Sequence, residues 1–335
     1  MMFGENVAKV KRGTVDRISE LREFILHNIL SIFDTREAGR ASVLSKRWYQ
    51  AWSSVPVLDF RIQHCEKEIL YCVSLMFGFR VNVGEGQCIL EIIDRTMLRY
   101  DTHKYRIRKL YLELPTSNEK IERLVDKWIR IAVQNQVEEL FIRSLSVYSY
   151  VTPNYRLPEI LFRAKSLKVL NCRNIVLPYY ETMELISLEY LTLDTDTVDT
   201  DLLHRILSFC PLVEFVTSTD LEHKKSEQGS SKHLRELQIS SATITDDIVS
   251  KLAYGLWTCV FRKFSIGFML NAEMHYDLKE LRIKEGLDLV KVTIDAPNLI
   301  EFWYNCEVET SLSLVRVLEH CNAQFIPLVR AYNIP

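Results

Sequence analysis

The chain has 335 residues, 47% hydrophobic and 26% charged, which excludes wholesale disorder and allows a sizeable core without disulfide or metal staples. Its 42 basic and 44 acidic residues leave a net charge of −2, too little for a global field that would hold nucleic acid. Glycine, at 10 residues, has about half its usual share, which argues against glycine-rich phosphate cradles. A prior of about 150 residues per domain suggests two domains.

The opening MMFGENVAKVKRGTVDR lacks the apolar core of a secretory signal. No window approaches the roughly 18 apolar residues of a membrane span. The cysteines (Cys65, Cys72, Cys88, Cys172, Cys210, Cys259, Cys306, Cys321) form no CxxC pair, and no N-x-S/T sequon occurs. These features predict reduced thiols in an intracellular protein, cytoplasmic or nuclear.

Residues 16–60 read as a short helical module. After the cap candidates Asp16 and Ser19 comes the run Leu21, Phe24, Ile25, Leu26, Ile29, Leu30, Ile32, Phe33. At about 100° per residue, Leu21, Ile25, Ile29 and Ile32 share one side, and Leu26, Leu30 and Phe33 the adjacent one. The apolar arc covers roughly half the circumference, wider than the stripe of an ordinary surface helix. Thr35 can cap a second helix, and Ser45 a third that carries Trp48 and Trp52 and stops before Pro56. Three short helices bury little more than one helix face. The surplus is either docked on the rest of the chain or offered to a partner.

The stretch ILHNILSIFDTREAGRASVLSKRWYQAWSSVPVLDF resembles the F-box of plant F-box proteins with leucine-rich repeats, most specifically in VLSKRW (Val43 to Trp48), Trp52 and VPVLDF (Val55 to Phe60). The resemblance implies docking on a Skp-type adaptor, which would tether the chain to a cullin–RING ubiquitin ligase as its substrate receptor. Carried over, the adaptor-binding positions are Leu21, Ile25, Leu26, Ile29, Leu30, Val43, Leu44 and Trp48. Three positions depart from the family pattern. Arg22 replaces a proline, Phe24 an acidic residue, and Asp34 a second proline. Losing the first proline removes a restraint on how the chain approaches the adaptor.

Residues 61–106 predict an atypical cap, with a helix over Cys65 to Phe77 and a turn over Asn82 to Gln87. Beyond them, apolar-x-x-apolar-x-apolar recurs from Ile107, Val137, Leu167, Leu188, Leu212, Leu234, Phe261, Leu278, Leu289 and Leu299. The steps are 30, 30, 21, 24, 22, 27, 17, 11 and 10 residues, most of them near the leucine-rich-repeat period. Each copy predicts a short strand, with helical fragments such as Asp199 to Pro211 and Thr245 to Leu256 between copies. Stacked, these units predict a right-handed solenoid. The short final steps leave two possibilities, a second strand at Leu289 on the outer arm of one coil, or a closing hairpin. Glu309 to Cys321 predicts a capping helix, Thr219 to Lys232 a loop.

Alternation puts Trp303 opposite Phe302 and Tyr304. With it, Tyr111, Arg143, Lys168, Tyr190, Glu236 and Arg282 are assigned to the strand surface as candidate cargo contacts, and Glu189, Thr192 and Lys284 accompany them. His64, Cys65 and Cys72 lack a fourth metal ligand, Gly84 and Gly86 lack a phosphate-loop context, and no hydrolase signature occurs. No metal, cofactor or catalytic residue is therefore assigned.

The resulting expectation is an α/β protein. It comprises a tail (1–13), a three-helix F-box (14–60), a linker or atypical cap (61–106), a leucine-rich-repeat solenoid (107–308) and a C-terminal cap (309–335). It would act as a non-enzymatic substrate-recognition subunit of an SCF-type ubiquitin ligase, with a Skp-type adaptor and an unknown cargo as partners and neither nucleic acid nor membrane. The alternative is a non-ligase scaffold with impaired adaptor docking.

Overall fold

A computed structural model describes residues 21–61, 89–114, 119–144, 155–194, 198–218, 221–222, 234–242, 258–264, 268–270, 278–286, 291–306, 311–317 and 320–325. Helices α1 (Glu23–Leu30), α2 (Thr35–Ala41) and α3 (Lys46–Ser53) open it, with a 3₁₀ turn at Ser42–Leu44. Asp34, rather than Thr35, is the N-cap of α2 and accepts the Glu37 amide at 2.8 Å. Thr35 instead accepts the Asp59 amide at 2.8 Å. Ser45 caps α3 by accepting the Trp48 amide at 3.3 Å, as its position predicts. Leu26, Leu30, Ala38, Trp48, Ala51 and Val55 form this module's own core.

The module ends in a strand. Its last residues form β1 (Val57–Phe60), which pairs in parallel with β2 (Lys109–Leu114) after the intervening helix α4 (Ile89–His103). Leu58 and Phe60 belong to the core of the sheet. The Pro56 carbonyl accepts the Arg108 and Lys109 amides at 2.7 and 3.1 Å. The same two-amide contact recurs one strand on, where Arg108 accepts from Glu138 and Glu139, and again where Glu138 accepts from Lys168 and Val169. Proline fits the first place in this series because an edge residue needs no ladder donor. Tyr100, fully buried on α4, donates to the Val55 carbonyl at 2.5 Å. Tyr100→Phe leaves that carbonyl without its donor and is expected to cost about 1–3 kcal/mol, readable by urea denaturation.

The chain continues through α5 (Glu119–Gln134), β3 (Glu139–Ser144), a 3₁₀ turn (Glu159–Arg163), β4 (Val169–Arg173), β5 (Tyr190–Asp194), β6 (Val198–Asp199) and α6 (Thr200–Phe209). Then come β7 (Phe215–Ser218), β8 (Leu221–Glu222), β9 (Glu236–Ala242), β10 (Thr258–Phe264), β11 (Phe268–Leu270) and β12 (Glu280–Gly286). The last strands are β13 (Lys291–Asp295), β14 (Glu301–Cys306), β15 (Ser311–Arg316) and β16 (Asn322–Phe325). The main sheet runs β1-β2-β3-β4-β5-β7-β9-β10-β12-β14-β16, and β6 and β8 lie off this path. Each pairing among the described strands is parallel, so every neighbour is reached by a crossover, as a repeat architecture requires.

One lateral row, Leu58, Leu110, Leu140, Leu170, Leu191 and Val216, is buried and stacks strand on strand. On α5, Ile121, Val125, Trp128, Ile129 and Ala132 pack against it at helical spacing. Asp94 ties α4 to α5 by accepting from Lys127 at 2.7 Å and from Trp128 at 3.0 Å. Burial alone would raise the Asp94 pKa, but these bonds outweigh it and hold the carboxyl below its usual value.

The register corrects the sequence reading in several places. Val213 and Val216 are buried while Leu212 and Phe215 are not, so that repeat starts one residue later than its apolar pattern suggests. Cys259 and Phe261 align with Leu237 and Ile239, so Phe261 takes the last apolar place of its copy rather than the first. The register partners Phe215, Glu236, Thr258, Glu280, Glu301 and Asn322 are then separated by 21, 22, 22, 21 and 21 residues. β11, β13 and β15 form a separate parallel sheet, so Leu289 precedes a second strand of the same coil rather than a hairpin. Ser311–Arg316 is strand where a capping helix was expected, and β16 extends the main sheet by one further strand. The helix at Cys65 to Phe77, the turn at Asn82 to Gln87 and the fragment Thr245 to Leu256 lie outside the described residues. So does most of the Thr219 to Lys232 loop, within which residues 221–222 are strand.

Candidate docking surfaces

In the helical module, the eight positions drawn from the resemblance fall into three groups. Leu26, Leu30 and Trp48 are at most 5% exposed and hold the module together. Leu21, Ile25 and Ile29 are half-buried. Val43 and Leu44, on the 3₁₀ turn, are 83% and 66% exposed. The sequence pattern leaves out Tyr49 and places Phe24, Ile32 and Phe33 in the apolar run without assigning them to docking. Phe24 and Ile32 are 58% and 82% exposed, and Phe33 and Tyr49 are exposed as well. How the three helices meet separates the groups: Leu30, the last residue of α1, is buried, whereas Tyr49, within α3, is exposed.

The two departures at proline positions keep proline's geometry. Arg22 has φ −64° and Asp34 φ −63°, the values a pyrrolidine ring would impose. The Arg47 guanidinium, from within VLSKRW, donates to the Leu21 carbonyl and holds the chain where α1 begins.

The second surface is the outward side of the main sheet. Tyr111, Phe141, Asn171, Thr192, Thr217, Gln238, Val260, Arg282 and Trp303 are successive lateral partners. Of the predicted contacts, Tyr111, Arg143, Tyr190, Glu236, Arg282 and Trp303 have this outward parity. Lys168 does not. It precedes β4 with the parity of buried Leu170 and Cys172, and pairs at the rim with Glu138 at 3.3 Å. Tyr111 and Trp303 stand eight strand spacings apart, about 38 Å, so no small ligand touches both.

The face carries aromatic groups in two places. Tyr111 stacks on Phe141 with centroids 5.8 Å apart, and Tyr190 on Phe215 at 4.6 Å. Farther along, the Arg282 guanidinium lies 5.4 Å from the Trp303 ring centroid and pairs with Glu280. Among the described residues no group of three or more His, Cys, Asp or Glu could hold a metal ion. Burial pushes the Cys172 and Cys210 thiols up, Cys210 to about 12, which keeps both protonated and poorly nucleophilic. No helix among the described residues is long and apolar enough to cross a membrane.

The helical module and the sheet of repeating parallel strands each match a known family. The F-box domain family matches residues 18–60, and the family described as FBD-associated F-box protein At5g56370, LRR repeats, matches residues 125–262. The chain is similar to F-box/LRR-repeat proteins of Arabidopsis thaliana. Relatives from Arabidopsis thaliana include F-box/LRR-repeat protein At3g18150, 29% identical over 69% of this chain and 44% of its own length. Another is F-box/LRR-repeat protein At1g55660, 26% identical over 62% of this chain and 52% of its own. FBD-associated F-box protein At5g56370 is 28% identical over 60% of this chain and 42% of its own. The chain thus spans about half the length of these relatives.

Proposed function

We propose that this chain is a substrate-recognition subunit of an SCF-type ubiquitin ligase. The F-box docks on a Skp-type adaptor, and the outward face of the right-handed repeat solenoid holds the protein to be ubiquitinated. The chain performs no bond chemistry and works by holding cargo near a ligase-bound conjugating enzyme. The observation that carries this reading is the apolar surface on a small module that already has a core. Val43, Leu44 and Ile32 stay exposed after Leu26, Leu30 and Trp48 have packed. Co-expression of the full chain with a plant Skp-type adaptor is expected to yield a stable complex on size exclusion. No complex with any adaptor tested would favour the scaffold reading, which the loss of the family prolines at Arg22 and Asp34 motivates. The proline-like φ of both residues supports intact docking instead.

A further inference from the structure

We propose that the uncovered ring face of Tyr190, on β5, receives an arginine side chain of the cargo, with Glu189 supplying the counter-charge. The inference rests on the sheet face being the cargo surface and names the chemistry it selects, a basic segment. Among the described residues the outward face carries five aromatic side chains, Tyr111, Phe141, Tyr190, Phe215 and Trp303. Three of them have a cation of the chain itself against the ring. The Arg61 guanidinium lies 5.3 Å from the centroid of Tyr111, the Lys109 ammonium 4.4 Å from that of Phe141, and the Arg282 guanidinium 5.4 Å from that of Trp303. The register shows where these cations come from. Arg282 is the Cα partner of Trp303, whereas Arg61 and Lys109 stand two residues along from the Cα partner of the ring they cover.

Around Tyr190 and Phe215 the same places hold no cation. The Cα partners flanking the pair are Val169 on β4 and Glu236 on β9. Two residues to either side of those stand Leu167 and Asn171, then Leu234 and Gln238. The two rings lie 3° from parallel with centroids 4.6 Å apart, so each covers one face of the other. The remaining face of Phe215 is turned toward Glu236, whose carboxylate accepts from the Gln238 side chain at 2.5 Å. The remaining face of Tyr190 is turned toward Val169, whose methyl groups end short of a phenol ring, and Tyr190 is 42% exposed. The next strand beyond β4 is two spacings from β5, about 10 Å, which leaves room above Val169 for a planar cation against the ring.

Charge selects the occupant. The cations nearest to this place are matched by carboxylates. Lys168 pairs with Glu138 at 3.3 Å, Lys109 with Glu139 at 3.4 Å, Arg235 with Glu214 at 3.5 Å and Arg173 with Asp194 at 3.9 Å. Glu189, half-buried at the rim just before Tyr190, makes no side-chain ion pair or hydrogen bond among the described residues. Its lateral neighbours are Lys168, which turns to Glu138, and Glu214, which turns to Arg235. Glu189 and Glu236 therefore leave the surroundings of the ring pair net negative, the complement of a basic partner. Arg282 shows the arrangement within the chain, covering the Trp303 ring while pairing with Glu280. An arginine of the cargo over Tyr190 that reaches Glu189 repeats it, and a guanidinium suits both contacts because it stacks flat and donates from its edge.

The test is saturation-transfer NMR of the full chain with the end-blocked peptide Gly-Ser-Arg-Ser-Gly, compared with the same peptide carrying citrulline, which keeps the planar end group and loses the charge. At about 150 mM NaCl, where long-range attraction is screened, the arginine peptide is expected to half-saturate at about fivefold lower concentration. Tyr190→Leu should erase that difference by removing the ring. Val169→Arg should erase it by placing a resident guanidinium where Arg282 stands relative to Trp303. Each variant is first checked for an unchanged thermal melt, and either of these two decides alone. Glu189→Gln should narrow the difference, and no change there would overturn its assignment as the counter-charge. Equal binding of the two peptides, binding of neither, or a difference that survives Tyr190→Leu or Val169→Arg would overturn the site. A difference that survives them but is lost in Trp303→Leu would overturn this site and leave the sheet-face reading standing. A difference insensitive to all of these substitutions would overturn both.

Discussion

Replacing Val43 and Leu44 together by Asp is expected to weaken the adaptor complex by about a hundredfold or more while leaving the melting temperature of the chain unchanged. Both side chains are exposed on the 3₁₀ turn and make no contribution to the module's core, so their loss in the free chain costs little. In a docked complex each would be a desolvated apolar anchor, and a carboxylate in its place would be buried without a partner. Leu30→Ala is the opposite case. Its side chain is 1% exposed among Leu26, Trp48 and Ala51, so truncation leaves a cavity and is expected to cost about 2–5 kcal/mol. Adaptor binding should then fall only as far as the module unfolds. Titration calorimetry against the purified adaptor, run beside thermal melts, separates the two. Equal loss of binding at unchanged stability from Leu30→Ala would show that the side chain leaves the core to dock.

That contrast marks the limit of what periodicity can resolve. The apolar side of α1 is legible because Leu26 and Leu30 recur at helical spacing, and Ser45 is legible as a cap because a hydroxyl precedes a helix-forming run. Which apolar residues remain outside depends on how three short helices meet, and no pattern within one helix contains that. The repeat strands were legible through their alternation, and their register less so. At Leu212, Val213, Phe215 and Val216, apolar residues occupy both parities because Phe215 faces outward to stack on Tyr190. At Ser311 to Arg316, the serine–leucine alternation is a strand signal, yet the same leucines and valines also satisfy helical spacing.

The expected result with the widest consequence is that Leu58→Ala will loosen the repeat sheet as well as the F-box. Leu58 is fully buried, belongs to the sheet core, and is the Cα partner of Leu110. By sequence it ends the F-box, and the family match to that domain runs to residue 60. Truncation should cost about 2–5 kcal/mol, and the loss should appear as faster hydrogen exchange at β2 amides, more than fifty residues away in sequence. A flexible tether between two independent domains would instead leave β2 exchange unchanged. Three further contacts oppose a tether. Tyr100 donates to Val55, the Pro56 carbonyl takes two amides from beyond α4, and the Arg99 guanidinium lies 4.2 Å from the Trp52 ring centroid. In the proposed role this joint fixes the direction in which the sheet face points relative to the adaptor. Loosening it by Leu58→Ala should therefore reduce the rate of ubiquitin transfer to a bound peptide more than it reduces binding of adaptor or peptide, because orientation rather than affinity is what the shared strand supplies.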